Sequence, residues 1–233
     1  MKIRLLICAI VLSGITIDDL AAQNTDYGTW TSIGMEKKLN KWELGAETEL
    51  RTVGYLSLID RWSLGLEAGY NLLKCLNIGA GYQFMNKVDR KYENYQIRNR
   101  FNVSATGKMK LSRLTFTLRE RVQMTLKDES NRIDEDGNID TYKANPEYSW
   151  RNRLKMSYNI SDCKVTPAFS VESFYQLNNP DGNTFDNMRY TLSFDYKINK
   201  KSRLGIAGLI NSNLESEDAY GKYILNLSYT YSF

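Results

Sequence analysis

The chain has 233 residues, of which 42% are apolar and 25% are charged, and its formal net charge is +4. After the N-terminus there is no apolar run of the roughly 20 residues that a membrane helix requires, which excludes a helical membrane protein. Aromatic residues make up 12% of the chain, which excludes a disordered polymer. Histidine is absent, which excludes Ser-His-Asp hydrolysis, histidine-ligated metals and histidine acid–base catalysis.

The N-terminus has the features of a secretory signal sequence. Lys2 and Arg4 supply the positive start, residues 5–12 form a short apolar stretch, and Ala22 places a small residue at the cleavage position. We therefore expect residues 1–22 to be a signal peptide and residues 23–233 to form the mature protein.

Hydrophobic residues in the mature chain recur with a period of two, most clearly over residues 111–126. The apolar positions there are Leu114, Phe116, Leu118, Val122, Met124 and Leu126. Arg119 and Arg121 lie on the opposite parity, and only Glu120 breaks the pattern. Because successive side chains of a strand point to opposite faces, this segment has one apolar face and one cationic face.

Eleven segments share this alternation and define the fold class. They are residues 27–38, 41–53, 60–72, 76–87, 93–107, 111–126, 147–160, 165–176, 187–198, 202–211 and 222–233. Each is longer than the five or six residues usual in soluble proteins. Short connections alternate with longer ones, and aromatic residues lie near the segment ends, as in outer-membrane barrels with short periplasmic turns and longer external loops. We predict an all-β, single-chain antiparallel transmembrane barrel.

The strand number needs a further assumption. Bacterial single-chain barrels normally contain an even number of strands. We therefore expect twelve strands, with one not located, or ten strands if residues 27–38 are not a full wall strand.

Three stretches resemble a known family. They are DYGTWTSIGMEKKLNKWELGAETELRT, DRWSLGLEAGYNLLKCLNIGAGYQF and LTFTLRERVQMT. They are similar to the small Bacteroidetes-type outer-membrane barrels grouped as domain of unknown function 2490, and the resemblance covers essentially the whole mature chain. It implies an outer-membrane barrel, and it brings no substrate, cofactor or functional residue.

If the apolar face meets lipid, the polar face lines the lumen and carries segregated charges. The basic cluster is Arg98, Arg100, Arg119, Arg121, Arg151 and Arg153. The acidic cluster is Glu43, Glu47, Glu49 and Glu67. A turn near residues 108–110 would set the first two arginines opposite the second two, with the third pair beside them. Like charges on paired strands repel, so this wall requires carboxylates, water or an anion in front of it.

Two arrangements of the lumen satisfy that requirement. The acidic strand can fold across and fill a narrow barrel with salt bridges, because small barrels have little free interior. Alternatively, the lumen stays open and attracts anions. We expect the filled lumen.

No residue pattern predicts a cofactor or a firm metal site. The weak candidate is the loop with Asp134, Asp136, Asn138 and Asp140, whose alternating oxygen ligands could suit calcium. Gly137 comes two positions too early for an EF-hand, however, and no Glu closes the loop.

These features favour an outer-membrane protein with a structural or interaction role and a charge-filled lumen. The alternative is a narrow, anion-preferring channel or transport barrel for small solutes, and the third candidate, an enzyme, is not expected. The expected partners are the lipid bilayer of the outer membrane and either a small anionic solute or an envelope protein. We expect a monomer that binds no nucleic acid.

Export can be tested directly. Signal cleavage after Ala22 predicts that protein extracted from membranes begins at Gln23. N-terminal sequencing measures this, and a mature protein that retains Met1 would contradict it.

Overall fold

The computed structural model describes residues 26–213 and 221–233. The predicted signal peptide and most of the connection between the predicted segments 202–211 and 222–233 lie outside these ranges. All eleven elements of the described residues are β-strands. Across the same ranges, no helix has the length and apolar character needed to cross a membrane.

Eleven strands form the barrel wall, and each one overlaps a segment predicted from the alternation. They are β1 (Asp26–Leu39), β2 (Trp42–Val53), β3 (Leu58–Leu73), β4 (Leu76–Asp89), β5 (Asn94–Leu111), β6 (Leu114–Lys127), β7 (Glu147–Tyr158), β8 (Val165–Gln176), β9 (Phe185–Lys197), β10 (Ser202–Asn213) and β11 (Gly221–Ser232). The predicted all-β class is confirmed.

The sheet closes on itself between its first and last strands. Each strand pairs antiparallel with the next along the chain, whereas β1 and β11 pair in parallel, from Asp26 opposite Lys222 to Glu36 opposite Ser232. The described residues therefore form eleven strands, and the expectation of twelve or ten was wrong. An even number of strands is required only if the first and last strands pair antiparallel. Parallel pairing of these two strands closes a barrel with an odd number.

Side chains alternate between the lumen and the outer surface, as predicted. On β6, Leu118 and Val122 are 49% and 43% exposed, whereas Thr125 on the other parity is 2% exposed. The exposed face is apolar around the barrel. This arrangement suits lipid outside and polar groups inside.

Aromatic pairs mark both ends of the barrel. Trp42 packs on Tyr70 beside the short turns, with ring centroids 5.0 Å apart. Tyr175 packs on Phe185 beside the longer connections, with centroids 4.9 Å apart. Tyr and Trp side chains at both ends match the two interfacial girdles of a transmembrane barrel.

The connections define two rims. The short-turn rim includes the turns after β1, β3 and β5, at residues 40–41, 74–75 and 112–113. The long-loop rim includes residues 128–146, the longest described connection. Cys75 and Cys163 are free and exposed on the short-turn rim.

The two native thiols provide a test of orientation. Because both lie on one rim, a membrane-impermeant maleimide should react with both from the same side. With short turns in the periplasm, we expect labelling only after the outer membrane is permeabilised. The matched control is Glu135→Cys in a Cys75→Ser/Cys163→Ser background, since Glu135 is exposed on the long-loop rim and should react in intact cells. Labelling of the native thiols in intact cells would contradict this orientation and would place the short turns on the cell surface.

Candidate functional site: the charged lumen

The register of β5 and β6 differs from the one expected. Arg98 lies opposite Lys127 and Arg100 opposite Thr125, rather than opposite the arginines of β6. The reason is the turn, which lies at residues 112–113 instead of 108–110. With the later turn, β5 extends to Leu111, and the β5 arginines lie farther toward the long-loop rim than the β6 arginines do.

The arginines of β6 and β7 do meet, as expected. Arg119 is the cross-strand partner of Arg153, and Arg121 is the partner of Arg151. Four guanidinium groups therefore face the lumen from two neighbouring strands. Like charges at this spacing destabilise a sheet unless a counter-charge lies near them.

The counter-charge comes from Glu172 on β8, which is 4% exposed. Its Oε1 accepts hydrogen bonds from Arg119 at 2.5 Å and from Arg151 at 2.9 Å, and its Oε2 lies 3.5 Å from Arg189. One carboxylate thus binds guanidinium groups from three different strands. The sequence places Glu172 on the lumen parity, but it gives no sign that this carboxylate neutralises the basic cluster.

A second cluster lies on β2 and β3. Glu49 binds Arg51 through both oxygens, at 2.7 and 3.1 Å, and its Oε1 also lies 3.3 Å from Arg61. The Arg51 guanidinium stacks on the ring of Trp30, 3.4 Å from its centroid. Trp30 has the lumen parity of β1, a signal that the sequence does contain.

The predicted acidic cluster is divided in the structure. Glu43 pairs with Lys38 near the short-turn rim at 3.2 Å, and Glu47 lines the lumen cavity. Glu67 reaches across the lumen to Arg121 at 2.8 Å. Only this one of the four predicted glutamates contacts an arginine of the predicted basic cluster.

Half of the predicted basic cluster forms ion pairs with carboxylates. Arg119, Arg121 and Arg151 have a carboxylate within 4.0 Å. In the part of the chain that the structure describes, Arg98, Arg100 and Arg153 form no such ion pair. Arg100 instead donates to Thr125 Oγ1 at 3.2 Å, and the Arg153 Nε is buried without a hydrogen-bond partner.

These side chains surround a cavity of ≈ 430 Å³. Eight arginines and five glutamates line it, an excess of three positive charges. An adjoining cavity of ≈ 410 Å³ shares Glu67, Arg119, Arg121 and Arg153 with the first and extends to Lys38 on the short-turn rim. The two cavities therefore adjoin in the lumen, and the second reaches the short-turn rim.

Glycines on β3 and β4 make room for the long side chains that cross the lumen. A Cβ added to Gly81 would lie 2.6 Å from Asn102 Nδ2 and 3.2 Å from Glu67 Cγ. Such a contact is too close to be tolerated without movement of both side chains. The small residue at this position lets Glu67 extend toward Arg121.

The loop at 128–146 is bound to residues at the opposite end of the barrel. Arg132 is 7% exposed and binds Asp89 at 2.7 Å. Its guanidinium stacks 3.8 Å from the ring centroid of Tyr142, whose hydroxyl bonds to Asp89 at 2.8 Å and accepts from Arg98 at 3.2 Å. The loop is thus fastened to a lumen arginine.

The weak metal candidate has other contacts in the structure. Asp134 Oδ1 accepts hydrogen bonds from the backbone of Asp136 and Asn138, which forms a tight turn. Asp140 binds Lys91 at 2.8 Å and Arg132 at 2.9 Å. Within residues 26–213 and 221–233, no group of three or more acidic, cysteine or histidine side chains is placed to hold a metal.

The contacts of Asp140 also set its response to pH. Hydrogen bonds from Lys91, Tyr92 and Arg132 hold the pKa of the Asp140 carboxyl well below its usual range. A lowered pKa contributes stability above the ordinary aspartate value of about 3.9, and that stability is lost as the pH falls through the lowered value. The loop attachment therefore keeps its charge in mildly acidic medium.

A closed barrel with an apolar exterior and a charged lumen defines a porin-like membrane barrel. The chain belongs to the family described as protein of unknown function (DUF2490), whose model matches residues 27–220. The predicted membership of the domain of unknown function 2490 family and the predicted all-β barrel class are confirmed. A comparison with curated proteins gives no significant match.

Two solved structures are similar to this chain at low sequence identity. The NanC porin is 14% identical with a TM-score of 0.50, and the match covers 79% of this chain and 84% of that one. The KdgM porin, solved in complex with disordered oligogalacturonate, is 12% identical with a TM-score of 0.46, over 80% of this chain and 90% of that one.

The position of Glu172 predicts a strong effect of its neutralisation. Glu172→Gln removes the carboxylate shared by Arg119, Arg151 and Arg189 and should cost about 3–5 kcal/mol, the usual effect of leaving buried charges unpaired. Denaturant unfolding of the detergent-solubilised protein measures this. Glu43→Gln is the matched control, since Glu43 is more exposed and should change stability by less than about 1 kcal/mol. Equal effects of the two changes would contradict the central role of Glu172.

Proposed function

We propose that the protein is a narrow outer-membrane channel that admits small anionic solutes. The observation that carries the proposal is the excess of arginine around the lumen cavity, where Arg100 and Arg153 have no carboxylate within 4.0 Å among the described residues. Fixed cationic groups in a pore attract anions and repel cations. The apolar exterior with its two aromatic girdles supports placement in the outer membrane.

The internal ion pairs restrict the size of the solute. Glu67 and Arg121 join across the lumen, and Glu172 gathers three arginines on the other wall. These contacts leave a path lined by charged groups instead of a wide aqueous pore. Solutes that exchange water for guanidinium contacts fit such a path better than large or neutral ones.

A second candidate is a non-conducting barrel with a structural or interaction role. It is favoured by the loop at 128–146, since Arg132 and Tyr142 fasten that loop over the long-loop rim. In this case the lumen charges stabilise the barrel and the rim is the functional surface. Neither candidate assigns catalysis to the lumen.

Single-channel recording on the refolded protein separates the two candidates. A channel should conduct and prefer chloride over potassium in a salt gradient. Arg100→Gln together with Arg153→Gln should move the reversal potential toward zero. These two arginines leave no carboxylate stranded when they are replaced, so the barrel should remain folded.

The matched control is Arg90→Gln, which removes an exposed arginine of the long-loop rim. It should leave the selectivity unchanged. Absence of conductance in the wild-type protein would favour the structural role, and cation preference would contradict the proposal.

A further inference from the structure

Glu120 interrupts the apolar outer wall at its middle. It has the same parity on β6 as Leu118 and Val122, which are among the exposed apolar residues. It is the seventh of the fourteen residues of β6, and therefore lies near the centre of the membrane-spanning height. Ionisable groups at this depth on a lipid-facing wall are costly and rare.

Two donors from β7 hold this carboxylate in place. Trp150 Nε1 donates to Glu120 Oε2 at 2.8 Å. The Asn152 amide lies against the carboxylate, and when its nitrogen is turned toward Glu120 it donates to Oε1 at 2.7 Å and also to Oε2. Asn152 is also the direct cross-strand partner of Glu120. Glu120, Asn152 and Trp150 form an outward polar cluster.

The hydrogen-bond acceptors of the outward polar cluster are not all satisfied within one chain. A carboxylate has about four acceptor sites, and these contacts do not use all of them. Within the described ranges, no cation lies within 4.0 Å of Glu120. Polar groups that lack partners in the hydrocarbon region cost free energy, so a further protein surface would stabilise the cluster.

The wall beside the cluster is shaped to receive such a surface. A groove of ≈ 620 Å³ on the outer face of β2 to β6 includes Glu120 in its lining. Ala68, Ala80 and Ala105 form its small-residue lining, and Val122 lies at its edge. Outward side chains of a neighbouring barrel can enter the β5–β6 side of this groove, next to Glu120.

Symmetry selects a second copy as the occupant. Two copies inserted in the same direction keep each residue at one depth, and a two-fold axis along the membrane normal preserves that depth. When this axis passes between β6 and β7, it places β6 of one copy against β7 of the other. It therefore sets Glu120 of each copy opposite Asn152 of the other, acceptor against amide, in a self-complementary contact.

We propose that the outer wall around Glu120 is the contact between two copies of this chain in the membrane. This departs from the monomer expected from sequence. The contact needs no conduction, so it stands independently of the proposed channel function.

Disulfide cross-linking in native membranes tests the contact. The background is Cys75→Ser/Cys163→Ser, and Leu118→Cys places one thiol next to the proposed axis. The matched control is Leu227→Cys on β11, five strands away in the sheet and also exposed. Oxidation should produce covalent dimers of the first variant and not of the second.

Two changes at Glu120 distinguish a contact between copies from a role within one chain. Adding Glu120→Leu should lower the dimer yield about tenfold, the effect of losing two hydrogen bonds of the strength measured between membrane segments. Glu120→Gln keeps acceptor and donor groups and should preserve the dimer. The mobility of unboiled protein on detergent gels verifies that each variant is folded.

Two results would overturn the proposal. One is a dimer yield for Leu118→Cys no higher than for Leu227→Cys. The other is a dimer yield that Glu120→Leu leaves unchanged. A monomer that retains a lipid in native mass spectrometry, and loses it in Glu120→Leu, would assign the groove to lipid and also overturn the proposal.

Discussion

Three guanidinium groups converge on the carboxylate of Glu172, and the shape of the lumen depends on this contact. Without it, Arg119 would lie opposite Arg153 and Arg151 opposite Arg121, and neither Arg119 nor Arg151 would have a carboxylate partner among the described residues. With it, the β6–β7 wall is held against β8, and the positive charge that remains is directed into the cavity. The same carboxylate therefore stabilises the sheet and leaves its interior cationic.

The wall of this barrel could be predicted from sequence, because lipid on one side and charged groups on the other impose a strict period of two. All eleven strands were located in this way. The register could not be predicted equally well. A turn three residues later than expected, at 112–113, moved Arg98 and Arg100 away from Arg119 and Arg121.

The contacts inside the lumen were less predictable than the wall, because they join residues far apart in sequence. Parity identified which side chains face inward and which glutamates could cross the lumen. It did not show that Glu172 would bind three arginines, or that Glu67 alone of the four predicted glutamates would reach the basic cluster. The contact between Arg132 and Asp89 was also missed, since nothing in a polar loop indicates which rim residue it will meet.

The parallel pairing of β1 with β11 has a consequence for how the barrel forms. Residues of β1 must find partners almost a full chain length away, whereas every other strand pairs with its neighbour in sequence. Contacts of such high sequence separation carry the largest loss of chain entropy and form slowly. The nascent sheet keeps two open edges until its last strand is present, so the final association of these edges should govern the rate of folding.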